Sequence, residues 1–200
     1  MPTKTMISWN FSEAELNHGR GWAVQHESLA RYTGLAIYTL EPIRHAFGDV
    51  PVTVLSAERT LEHNQGGRSS SCHLPPHMRM DSGTRKLIGA RDPNALPELK
   101  QLHSAAADIR IHGVNPEVIF WVVLAAMSHG LDTNPPTRAK LPRGGVFYYQ
   151  DSQFVHVDNR GYIARETKLT PKGSVTGLSN SDKEMYLEAI ARLTGLSSQT

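Results

Sequence analysis

The spacing of apolar positions along this chain changes several times, and each change marks an expected element. From Glu27 to Phe47 the apolar residues Leu29, Tyr32, Leu35, Leu40, Ile43 and Phe47 recur mostly three to five apart. That spacing predicts one amphipathic helix or two consecutive ones, ended by Gly48, with Pro42 as a break or as the start of the second. Residues 50–55 hold a β-branched run and predict a strand. Ala105–Ile111 predicts another. Asn115-Pro116-Glu117 then opens a helix reaching about His129, with Asn as cap, Pro at the first helical position and Glu in the first turn. Its residues Val118, Trp121, Val122, Ala125 and Met127 are expected in the core, and Gly130 stops it. Val146–Tyr149 and Phe154–Val157 read as two short strands across a turn at Gln150-Asp151-Ser152. Asp182–Leu193 reads as a terminal helix with a modest stripe of Lys183, Tyr186, Ile190 and Leu193.

The intervening segments have a different texture. Ser12 before Glu13 and Glu15 marks a short helix start near the N-terminus. Residues 56–74 are polar and rich in Gly and Ser, the composition of a loop carrying function. Residues 75–102 show little periodicity and read as an insertion, with some helix expected around Leu96–Leu102. Residues 171–182 have a linker's composition. Internal repeats and low-complexity tracts are absent from the sequence.

Composition narrows the class. At 200 residues the chain is one domain, or one with an appendage, and we expect the division at 1–165 and 166–200. Lys plus Arg total 21 against 19 Asp plus Glu, so the net charge of +2 argues for neither nucleic acid nor an anionic membrane as partner. One cysteine, Cys72, excludes an internal disulfide and a Cys-rich zinc module. The longest apolar run, Val118–Met127, is half the ~20 residues of a spanning helix. The expectation is a soluble protein made in the cytoplasm without a signal peptide. The ten histidines are the unusual feature.

Read without any family, His73, Asp108 and His156 supply two imidazoles and a carboxylate, each on or beside a strand or its loop. Three protein ligands with an open fourth position is the arrangement of a catalytic zinc. Arg59, at the end of a strand, suits a forked clamp on a carboxylate. Asp158 lies two residues past His156 and shares its face on a strand, so it suits orienting a ligand or handling a proton. Spacing alone leaves other triples open in a chain with this many histidines.

Five pieces occur in a fixed order: Ser56-Ala57-Glu58-Arg59; Asn64 with Gly66-Gly67; Ser71-Cys72-His73 with Ala106-Ala107-Asp108; Gly145-Val146-Phe147-Tyr148-Tyr149; and Phe154-Val155-His156-Val157-Asp158. In this order they resemble the zinc D-Ala-D-Ala carboxypeptidase and phage endolysin peptidase family, which shares its fold with Hedgehog signalling domains. Phe11 and Glu15 resemble that family's leading motif, and the similarity covers roughly residues 8–162. Several positions depart from the pattern: Ala57 and Glu58 stand for Gly and Tyr, and Ser104 and Phe147 each stand for Gly. The largest departure separates His73 from Asp108 by 34 residues. Excising residues 75–102 leaves only Leu74 and 103–107 between them and restores the family's short spacing. A 28-residue insertion at a hairpin tip is tolerable because loop-closure cost grows slowly with length. His103 and His77 remain rival ligands if the insertion reshapes the site.

The resemblance implies an α+β fold: a small antiparallel sheet with helices on one side and a zinc site on the other. It implies Zn2+ held by His73, Asp108 and His156, with Arg59 and Asp158 in catalytic roles. The implied activity is hydrolysis of peptidoglycan stem-peptide bonds by a phage-derived enzyme, acting at the cell wall after release or within a virion. A tail-associated or other virion structural protein that keeps the fold but has lost catalysis, and contacts other virion proteins, is the alternative.

Overall fold

The computed structural model describes residues 5–16, 26–58, 73, 79–80, 87–88, 105–128, 141–160, 163–164 and 167–195. Arg59, Cys72, His77, His103 and Gly130 lie outside them, as do the expected helix around 96–102 and the 66–67 glycine pair. The architecture is α+β, a small open antiparallel sheet with flanking helices.

The chain enters through α1 (Glu13–Leu16), whose start is tied by Ser12 N–H and Oγ both donating to Glu15 Oε2 at 2.8 and 2.6 Å. Next come α2 (His26–Leu35), a π-helical turn (Ala36–Leu40) and α3 (Glu41–Ala46), which run on continuously. Pro42 therefore does not break the run but stands at the start of its last helix, α3, the second of the two expected readings. The widened turn before it lets Glu41 N–H reach Ala36 O, five residues back, and Pro42 falls in the first turn of α3, where a missing N–H costs little. Gly48 ends the segment with φ 73°, as the pattern predicted.

Four strands form the main sheet: β1 (Val52–Ser56), β4 (Ala106–Ile111), β5 (Val146–Tyr149) and β6 (Phe154–Asp158), in the spatial order β1-β4-β6-β5, every pair antiparallel. Between β1 and β4 in sequence, β2 (Arg79–Met80) and β3 (Leu87–Ile88) pair as a separate two-stranded ribbon. The β5–β6 turn is closed by Gln153 at φ 50°.

Period-two alternation gives the main sheet two unlike faces. Ile109, Ile111, Val146, Tyr148, Val155 and Val157 point into the hydrophobic core. Against that face packs α4 (Pro116–Ser128), with Asn115 Oδ1 accepting from Glu117 N–H at 3.0 Å as its cap. The core stripe expected on α4 is too narrow. Ile119, Phe120, Val123 and Leu124 are buried as well, while Trp121 is half-buried, because the helix is covered by the sheet on one side and by α5 (Asn180–Thr194) on the other. Helix α5 begins two residues before the expected start, capped by Ser179 Oγ and closed by Gly195 in the left-handed region. It packs on α3 and α4, with Ala189 and Leu193 in the common core. Among the described residues no helix is long and apolar enough to cross a membrane.

Candidate metal centre

The opposite face of the sheet carries the chemistry, and strand register assembles it. Asp108 pairs with His156 across β4 and β6, and His156 with Phe147 across β6 and β5. On the other flank Ser56 pairs with Asp108, through a bulge that advances β1 by two residues while β4 advances by one. Ser56, Asp108, His156 and Phe147 thus form one row across all four strands. Without the bulge, Leu55 would stand opposite Asp108.

His73 follows β1 in sequence. It is among the largest fully buried side chains of the protein and is fixed by a 2.5 Å bond from Nδ1 to the backbone carbonyl of Ala57. A carbonyl only accepts, so Nδ1 carries the hydrogen and Nε2 presents a lone pair. Nε2 lies 3.1 Å from His156 Nδ1 and 3.3 Å from Asp108 Oδ1, and His156 Nδ1 lies 2.9 Å from Asp108 Oδ1. The far nitrogen of His156, Nε2, is 3.1 Å from Asp158 Oδ2 and so donates there.

Three ligand-type atoms therefore form a triangle with edges of 2.9–3.3 Å. A tetrahedral ion with arms of ~2.0–2.1 Å calls for edges of about 3.3 Å. With both outward N–H groups committed, two neutral rings would oppose lone pair to lone pair beside an anionic oxygen, unless His156 Nδ1 also carries a proton for Asp108 Oδ1. A proton can relieve one edge of such a triangle; a cation at its centre relieves all three. The donor set and its spacing fit a divalent metal, and His73, Asp108 and His156 are the residues that could hold it.

The electrostatics agree. Burial by itself would raise the Asp108 carboxyl, but the charge and hydrogen bonds of His73 and His156 overcome it and hold Asp108 well below the usual carboxylate range. Burial would lower His156, yet hydrogen bonds and charge from Asp108 and Asp158 raise it above the ordinary imidazole value. Asp158, fully buried, is likewise held low: burial opposes ionisation, and His156 and Arg160 more than offset it.

Asp158 is crowded with donors. Oδ1 accepts from Gly145 N–H at 2.8 Å, Arg160 N–H at 3.1 Å and Arg160 Nε at 2.8 Å, and Oδ2 accepts from His156 Nε2 and from Arg160 Nη2 at 2.5 Å. Its place is that of a carboxylate that orients a ligand. Gly145 is required by this contact, since an added Cβ there would collide with the Asp158 carboxylate. Phe147 lies against the His156 ring, centroids 5.2 Å apart, and under the Arg160 guanidinium.

The structure therefore brings together His73, Asp108, His156 and Asp158, whereas Arg59 falls outside the described residues. His45 and His112 are exposed and stand apart from this cluster. Sequence reasoning gave no functional role to Arg160 or to the Ala57 carbonyl. A backbone acceptor leaves no side-chain signature, so no residue type could have flagged it. Comparison with protein-family models, curated proteins and solved structures gives no match.

Proposed function

We propose that this protein is a zinc-dependent peptidase with the Hedgehog/DD-peptidase fold, acting on stem-peptide bonds of peptidoglycan as DD-carboxypeptidases and endopeptidases do. The observation that carries the proposal is the buried triangle of His73 Nε2, Asp108 Oδ1 and His156 Nδ1, with the imidazoles bonded from behind by Ala57 O and Asp158 Oδ2. Its residues are those that the ordered motifs single out, across a 34-residue gap.

Two nitrogens and one carboxylate oxygen favour zinc among common ions, and three protein ligands leave a position for substrate or water. When bound, zinc supplies Lewis acidity and a water acidic enough to ionise near neutral pH. The chain's own residues do the rest. Ala57 O and Asp158 hold the imidazoles, Arg160 and Gly145 hold Asp158, and Phe147 forms an apolar wall beside His156. Arg59 is assigned to the substrate's carboxylate. The saturated carboxylate of Asp158 favours orientation of His156 over direct proton exchange with substrate. Action at the cell wall, after release or as part of a virion, follows from this reading.

One observation favours a second reading. All three ligands are at most 7% exposed, a burial that also suits a structural metal staple in a virion or tail-associated protein. Elemental analysis of the purified protein beside His156→Ala, followed by digestion of purified sacculi with mass spectrometry of the released fragments, separates the two. One zinc per chain, lost in the variant, with new stem-peptide termini supports the peptidase. Zinc without cleavage supports the staple. A folded protein that takes up no zinc refutes both.

A further inference from the structure

A second site lies away from the metal centre, between the N-terminal turn, α3 and the end of α5. Trp9 sits at the tip of the turn and is 83% exposed. Its neighbours are pinned from below. Ser8 Oγ and Asn10 N–H both donate to Glu41 Oε1 at 2.7 Å, and Asn10 Nδ2 donates to Glu41 Oε2 at 2.8 Å. Ile7 and Ser8 N–H both donate to Phe11 O, and Met6 bridges to Ser12. Glu41 is itself buried. A carboxylate taken out of water to fix a turn is costly unless fully bonded, and this one fixes a turn whose tip is a large indole in solvent. The turn that presents the indole is thus pinned to α3.

Beside it opens a groove of about 500 Å³, within the range of small-ligand sites, whose walls include Trp9, Ile37, Pro42, Arg44, Asp49 and Arg192. The formal charges on the walls cancel, Glu41 and Asp49 against Arg44 and Arg192. Arg44 is bonded to Asp49 Oδ1 at 2.7 Å, and Arg192 to Glu188. Such a groove offers no net charge to a phosphate, a nucleic acid or an acidic peptide. It offers a flat aromatic face flanked by oriented guanidinium and carboxylate groups. That combination suits a neutral polyhydroxylated ring, whose axial C–H face stacks on indole while its hydroxyls bond to the rim.

We propose that this groove binds neutral pyranose units of a glycan chain, with Trp9 as the stacking platform. The proposal deepens the cell-wall reading and rests on it only for the source of the glycan. Helix α3 and the residues up to Asp49 precede the start of β1, whereas the metal ligands gather at its other end, where Ser56 pairs with Asp108, so glycan and scissile peptide would be held at separate places on the chain.

The test is calorimetric titration of the full-length protein with tri-N-acetylchitotriose, with and without a zinc chelator. Saturable binding is expected, unchanged by the chelator, with affinity at least ~10-fold weaker in Trp9→Ala and within about threefold in Trp9→Phe. Trp9 is exposed, so both variants should fold, which circular dichroism verifies. No saturable binding by the wild type, or equal affinity in wild type and Trp9→Ala, overturns the proposal. Self-association in the ultracentrifuge that Trp9→Ala abolishes, without glycan binding, assigns the face to a second copy and also overturns it. The chelator arm keeps the result separate from the metal centre: loss of glycan binding leaves the peptidase reading standing, and loss of peptidase activity leaves the glycan site standing.

Discussion

Replacing Asp158 by Asn tests whether the carboxylate orients a metal ligand. The substitution preserves shape and removes one charge. In the native arrangement both oxygens face donors only: Gly145 N–H and Arg160 N–H on Oδ1, His156 Nε2–H and Arg160 Nη2 on Oδ2. Either rotamer of Asn must turn its NH2 group toward donors. One set loses its acceptor, at about 1–3 kcal/mol for a buried group left unbonded. If the NH2 faces His156, the imidazole is freed to rotate or to adopt the other tautomer, and Nδ1 no longer reliably presents its lone pair. Loss of such a supporting contact typically weakens metal binding ~10–100-fold, or about 1.4–2.7 kcal/mol. The expected result is a zinc dissociation constant raised by that factor in competition with a chromogenic chelator, beside a loss of more than ~1000-fold in Asp108→Ala, where a ligand itself is gone. Circular dichroism and thermal melts establish that both variants are folded. Zinc affinity within about twofold of wild type, in a folded Asp158→Asn protein, refutes the assignment and makes the Asp158–Arg160 pair a purely structural one.

Gly145→Ala should act through the same carboxylate, because its Cβ overlaps Asp158; we expect about 1–3 kcal/mol of destabilisation in urea melts together with weakened zinc binding. The metal-free protein should have an unusual pH dependence. His156, raised above the ordinary imidazole value of 6.5, contributes stability that is full below that value and is lost as pH rises through its folded pKa. Asp108 and Asp158, lowered from 3.8, contribute stability present above that value and lost as pH falls through their folded pKa values. Metal-free Tm should therefore be highest between roughly pH 4 and 6.5 and decline above, and added zinc should abolish the alkaline decline; a metal-free Tm that rises from pH 6 to 8 contradicts the assignment. Zinc binding at pH 6 should release protons, measurable as a buffer-dependent heat in calorimetry. Asn115→Ala removes the α4 cap and the 3.1 Å bond to Asp182 Oδ2 that ties α4 to α5, and should lower stability by about 1–2 kcal/mol in denaturant melts without changing zinc affinity.

Much of this protein was legible from residue order alone. The four strands and α4 are local facts: β-branched runs and the Asn115-Pro116-Glu117 start favour their conformations whatever the rest of the chain does. The three metal-ligand candidates were also legible, since the motifs that single them out keep their order although 34 residues separate His73 from Asp108. Contacts between distant segments were not legible. Whether Ser56 or Leu55 faces Asp108 depends on a bulge, which is decided by pairing two strands about 50 residues apart in sequence. That Pro42 sits inside a continuous helix depends on a widened turn that periodicity does not encode. The breadth of buried surface on α4 depends on being covered twice, by the sheet and by α5. Tautomer and ligand atom were decided last of all. The Ala57 carbonyl and the Asp158 carboxylate select which nitrogen of each histidine faces the centre, and their positions exist only once β1, β4, β5 and β6 are in register. Local preference writes the elements and the residue types into the sequence, whereas the convergence of three lone pairs on one point is a property of the packed chain.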